Sequence, residues 1–95
     1  MAYLRSTGEV AGSGSAAQCP TVSATLVRIT AAYDNAGYVY VGKSGVTKKD
    51  GSTDTTTGRP IEPGKSAWFQ VSANLNELYY IGDNAGDDFM YEAYL

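Results

Sequence analysis

Apolar side chains along this chain fall in short β-branched and aromatic runs or alternate with polar ones, and no stretch repeats them convincingly at the three-to-four spacing of a helix. Leu26, Val27, Ile29 and Thr30 form a β-branched run interrupted only by Arg28, which predicts a strand. Tyr38-Val39-Tyr40-Val41-Gly42 predicts a second. Between them, Asp34-Asn35-Ala36-Gly37 has turn chemistry, because Asp accepts local backbone hydrogen bonds and Gly takes positive φ without strain. The two runs therefore read as a hairpin. Arg59-Pro60-Ile61 is a short edge-like segment, and Pro63-Gly64 suits a type II turn. Ala67, Phe69 and Val71 then alternate with Ser66, Trp68 and Gln70, the pattern of a half-buried strand. After a tight connection at residues 74–77, residues 78–82 form the next strand. The last, residues 89–95, puts Phe89, Tyr91, Ala93 and Leu95 on one face and Met90, Glu92 and Tyr94 on the other.

The pattern fails at two places. Residues 6–18 carry almost no large apolar side chain and are rich in Gly and Ser, so residues 1–22 read as a flexible N-terminal arm, with Tyr3 and Leu4 apolar enough to dock on a partner. Residues 43–58 read as a long surface loop with Val46 as its one apolar anchor. Residues 23–95 are then a single β domain. Asp-Asn-Ala-Gly recurs at residues 83–86, which marks either a duplicated hairpin or one turn solution reached twice. The expected fold is all-β, a small antiparallel β-sandwich or barrel of about six strands with a flexible N-terminal arm.

Charge narrows the partners. A net charge of −3 and a pI near 4.6 disfavour a phosphate-tracking surface, so nucleic acid is not expected to bind. Residues 1–50 hold five Lys/Arg against three Asp/Glu and residues 51–95 hold two against seven, a dipole along the sequence that suits head-to-tail contact between copies or is simply solvated charge. No apolar run approaches the roughly 18 residues of a membrane span and no signal-like segment opens the chain, so a soluble protein with no membrane partner and no secretion signal is expected. Cys19 is the single cysteine, so no disulfide closes within one chain.

Histidine is absent, which removes the commonest general base, the Ser-His and Cys-His nucleophile pairs and the usual transition-metal ligand. With no nucleophile elbow or phosphate-cradling loop either, the chain reads as a non-enzyme that needs no cofactor. Asp83-Asn84-Ala85-Gly86-Asp87-Asp88 offers hard oxygen ligands, which makes Asp83 and Asp87 weak calcium candidates beside the plainer reading of a structural turn. Lys48-Lys49 reads as a solvated loop tip. Eight tyrosines are unusual in 95 residues; each joins an apolar ring to a polar tip, which suits half-buried sheet faces and interfaces. Trp68 falls on the polar face of its strand, where an aromatic ring marks a subunit contact or a sugar platform unless it is packed in. By residue type and strand face, the expected interface residues are Tyr3, Tyr38, Tyr40, Trp68 and Tyr94.

Gly58-Arg59-Pro60-Ile61-Glu62-Pro63-Gly64-Lys65-Ser66, followed by Phe69, Leu75-Asn76, Leu78-Tyr79 and Gly82-Asp83, resembles small β-rich virion structural proteins of tailed bacteriophages, in which a Pro-Gly turn leads to an apolar strand and a Leu-Asn-x-Leu/Ile-Tyr segment. The resemblance covers roughly residues 36–90 and is to turn and strand chemistry. It implies a capsid decoration (cement) protein or a related head or tail component. Such a protein is a homo-oligomer, often a trimer, that binds the phage major capsid protein and sits on the virion surface after assembly in the bacterial host cytoplasm. The rival expectation is a carbohydrate- or receptor-binding β-module of a phage tail or adhesin.

Overall fold

The computed structural model describes residues 3–50 and 55–95. Residues 51–54 of the expected 43–58 loop lie outside the described residues. Among the described residues there are eight strands: β1 (Leu4–Val10), β2 (Ala17–Gln18), β3 (Leu26–Ala31), β4 (Val39–Gly42), β5 (Arg59–Ile61), β6 (Ser66–Gln70), β7 (Tyr79–Gly82) and β8 (Phe89–Tyr94). They form two four-stranded antiparallel sheets, ordered β1-β8-β3-β6 and β2-β7-β4-β5. The pairs β1·β8, β2·β7, β3·β6 and β4·β5 make one nested ribbon, and the pairs β3·β8 and β4·β7 zip its coils together. A long antiparallel ribbon rolled up in this order is the jelly-roll arrangement of two packed sheets.

Alternation fills the space between the sheets. Val27, Ile29 and Ala31 of β3, Phe89, Tyr91 and Ala93 of β8, and Val39 and Val41 of β4 all enter one buried cluster with Leu75 and Ala24. Phe89 is fully buried and meets the ring of Tyr80 edge-on at 4.8 Å, joining β8 to β7 across the interior. Cys19 is buried in the same cluster, and burial pushes its thiol up to about 12. It behaves as a small apolar residue and not as a reactive thiol.

Two expectations are corrected. The segment read as a flexible arm holds two edge strands: β1 pairs with β8 from Leu4↔Tyr94 to Val10↔Phe89, and Ala17-Gln18 pairs with Tyr80-Tyr79. The β domain therefore begins at β1 and not at residue 23, and the strand count is eight and not about six. The segment looked polar because an edge strand places few side chains in the core, here Val10 alone from β1. The ring of Tyr91 takes up the space over Gly8, where a Cβ would come within 2.6 Å of its hydroxyl. The second correction concerns the hairpin. β3 and β4 lie in different sheets, as do β7 and β8, so each Asp-Asn-Ala-Gly segment is an arch between sheets. The Pro63-Gly64 turn is as expected, with Gly64 at φ +79.

The opposite end of the sandwich is tied by a 3-10 turn, Leu75–Glu77, closed by a reciprocal capping box with Asn74. The Glu77 carboxylate accepts the backbone N–H groups of Ser72, Ala73 and Asn74 at 2.7 to 2.8 Å. These bonds, led by that of Ser72, hold its carboxyl at about 2, below the ordinary 4.5. A group whose folded value is depressed stabilises the fold above its unfolded value and loses that contribution as pH falls toward the folded one. Stability is therefore expected to drop as pH falls from about 4.5 to about 2. In Glu77→Gln the drop should shrink, as read from urea midpoints at pH 7, 4 and 2.5. Truncating Phe89 to Ala should cost about 3–5 kcal/mol in the same unfolding assay at pH 7.

Candidate interaction surface

The two outer faces of the sandwich differ. On the β2-β7-β4-β5 sheet, Val46 folds back from the loop after β4 and packs on Tyr40 and Ile81, with Tyr38 and Tyr79 against them, to make a second small core outside the sheet. Lys48 donates to the carbonyls of Gly14 and Asp83, and the ammonium of Lys49 lies 4.7 Å from the ring centre of Tyr38. The Lys48-Lys49 pair read as a solvated tip therefore holds this cover down. Tyr40, expected at an interface, is only 1% exposed and offers no contact surface. Its hydroxyl donates to Asp83 Oδ1, and burial together with that bond pushes its pKa up to about 12. Tyr38 lines a cavity of about 230 Å³ with Tyr40, Lys49, Thr56 and Pro60, smaller than the pockets that enclose drug-sized ligands.

The β1-β8-β3-β6 sheet has no such cover among the described residues. Its outward side chains stand in cross-strand rows set by register. Leu4, Tyr94, Leu26 and Gln70 form one row, and Glu92, Arg28 and Trp68 lie in the next. Trp68 is 48% exposed and Leu4 55%. The Trp68 and Tyr94 rings are 5.6 Å apart, and the Arg28 guanidinium sits 5.5 Å from the Trp68 ring centre while it pairs with the Glu92 carboxylate. Arg28 thus fixes the indole from below with its charge already matched. Tyr3 and Leu95 exchange backbone hydrogen bonds at the Leu4 end of this face, and both side chains are exposed.

Of the five expected contact residues, the structure brings Trp68 and Tyr94 together on one outer face, sets Tyr3 at the end of that sheet in a backbone pair with Leu95, and leaves Tyr38 and Tyr40 on the other sheet. Strand parity puts Trp68 and Tyr94 on outward faces, yet it does not show that β6 and β8 flank the same strand. Leu26 and Arg28, which complete the patch, become visible only once β3 is known to lie between them. The face carries an outward aromatic and aliphatic strip beside one ion pair.

Asp83 and Asp87 do a different job from metal binding. The Asp87 carboxylate, 1% exposed, accepts the N–H groups of Ala36 and Gly37 on one oxygen and the backbone and side-chain N–H groups of Asn84 on the other. Asp83 Oδ2 accepts the Tyr38 N–H and its Oδ1 the Tyr40 hydroxyl. Asn35 exchanges two bonds with the Asp88 backbone, and Asp88 Oδ1 accepts the Gly12 N–H. The arches at residues 11–16, 32–38 and 83–88 are clasped together by these carboxylates. Their oxygens face N–H and O–H donors, which is the structural-turn role, and no group of three or more His, Cys, Asp or Glu side chains placed to hold a metal ion occurs among the described residues.

Asp87→Ala would leave four N–H groups from two arches without their shared acceptor and should cost about 3 kcal/mol, whereas millimolar calcium should leave the wild-type melting temperature unchanged. Calorimetry of both samples checks this. A calcium-dependent rise in melting temperature would contradict the clasp.

No protein family, no curated protein and no solved structure matches the chain.

Proposed function

We propose that this chain is a non-catalytic virion structural protein of a tailed bacteriophage, a capsid decoration (cement) protein that docks its open sheet face on the major capsid protein and strengthens the shell. The observation that carries this reading is the uncovered strip of Trp68, Tyr94, Leu26 and Leu4, on a sandwich whose other face is closed by its own loop. A rigid aromatic pair held by an internally neutralised Arg28–Glu92 ion pair suits a broad protein contact, where aromatic anchors supply much of the affinity. The Pro-Gly and Leu-Asn-x-Leu-Tyr resemblance points the same way. Jelly-roll sandwiches serve in viral capsids and also in lectins, so the fold is compatible with the reading without selecting it.

The exposed Trp68 ring beside half-buried Tyr94 favours one second reading, a carbohydrate- or receptor-binding module in which the rings form a sugar platform. Co-sedimentation with purified phage shells separates the two. Wild type should pellet with shells, and Trp68→Ala should lower the affinity by a hot-spot margin of about 2 kcal/mol with little change in melting temperature. Glycan binding without shell binding would replace the first reading by the second.

A further inference from the structure

The two sheets have four edges, and three of them are protected against pairing with another strand. β1 carries Arg5 and Glu9 and a register shift between Leu4 and Ser6; β2 is two residues long; β5 is three residues long with Arg59 and Pro60. Charges, bulges, proline and short length are the usual means of blunting an edge. β6 has none of them. Ser66-Ala67-Trp68-Phe69-Gln70 holds no charge, no proline and no glycine, and its pairing with β3 runs without a register shift.

The backbone of that edge points outward at defined residues. Ala31 donates its N–H to the Lys65 carbonyl and accepts from the Gly64 N–H, so both of its polar groups face β6. By alternation Ile29 and Val27 do the same, toward their partners Ala67 and Phe69. The N–H and C=O groups of Ser66, Trp68 and Gln70 are thereby turned away from β3, along the open edge.

We propose that β6 is the contact through which two copies of this chain pair, edge to edge and antiparallel, about a twofold axis at Trp68. That axis places Trp68 opposite Trp68 and Ser66 opposite Gln70 of the other copy, each such pair exchanging both N–H···O=C bonds. A second copy is the occupant because the strand is complementary to itself. Trp68 is its central residue, its two outward neighbours Ser66 and Gln70 are uncharged and hydrogen-bonding, and no like charges meet within the paired segment. The pairing doubles the four-stranded sheet and sets two Trp68 side chains next to each other on one continuous open face. It goes beyond the cement reading and does not depend on what that face binds.

Sedimentation equilibrium of the full chain should give twice the chain mass. Ser66→Lys with Gln70→Lys puts like charges opposite each other at both ends of the pair and should raise the dissociation constant about tenfold. Ser66→Lys with Gln70→Glu puts opposite charges there and should restore wild-type association. Hydrogen exchange on the wild type supplies an independent readout: the Ser66, Trp68 and Gln70 amides should gain protection as concentration rises, while those of Ala67 and Phe69 are protected throughout. A single-copy or threefold mass, a dimer indifferent to the paired lysines, or exchange at Trp68 that ignores concentration would each overturn the proposal. A dimer that leaves phage shells alone would defeat the cement reading and keep this one.

Discussion

The carboxylate of Asp87 is the point on which the architecture turns. A sandwich of nested strand pairs needs its chain to cross repeatedly from one sheet to the other, and each crossing leaves backbone N–H groups without a ladder partner. Asp87 collects such groups from two arches at once, those of Ala36 and Gly37 and that of Asn84. An ionised acceptor makes stronger bonds to N–H than a neutral one does, and it takes them in pairs. With Asp83 on Tyr38 and Asp88 on Gly12, three neighbouring carboxylates tie one end of the molecule together, and the single cysteine is free.

The clasp also shapes the surface. Asp83 anchors Tyr38 and Tyr40, and those rings form the seat on which Val46 and the loop after β4 rest. One sheet is thereby covered on both sides. The other turns Trp68, Tyr94, Leu26 and Leu4 outward, with no such cover among the described residues.

Much of this could be read from residue order. β3 to β8 follow from short β-branched and aromatic runs between turn residues, and period-two alternation in β6 and β8 gives the outward parity of Trp68 and of Tyr94. β1 and β2 escape it because alternation detects strands by the apolar side chains they send into a core, and edge strands send few. Sheet membership escapes it as well, since Asp-Asn-Ala-Gly serves a two-strand hairpin and a cross-sheet arch with the same local hydrogen bonding. Tyr40 escapes it for a related reason: it lies on the outer face of its sheet, but the loop that follows β4 folds back and buries it. The acidic turn shows the limit from the chemical side. Carboxylates suited to a hard cation are equally suited to backbone N–H groups, and only the neighbouring arch decides which they receive.

The pairing of β1 with β8 has a consequence for how the molecule is made. β1 precedes the other described strands, but its partner lies at residues 89–94, so β1 must wait until the strands between them have been synthesised before it can pair. An apolar strand left waiting would be a template for aggregation. Leu4-Arg5-Ser6-Thr7-Gly8-Glu9-Val10 is polar, charged and broken by glycine, and it becomes a strand only when Tyr91 arrives to cover Gly8. The composition that disguises β1 as an arm is what allows it to remain unpaired without harm until the ribbon closes.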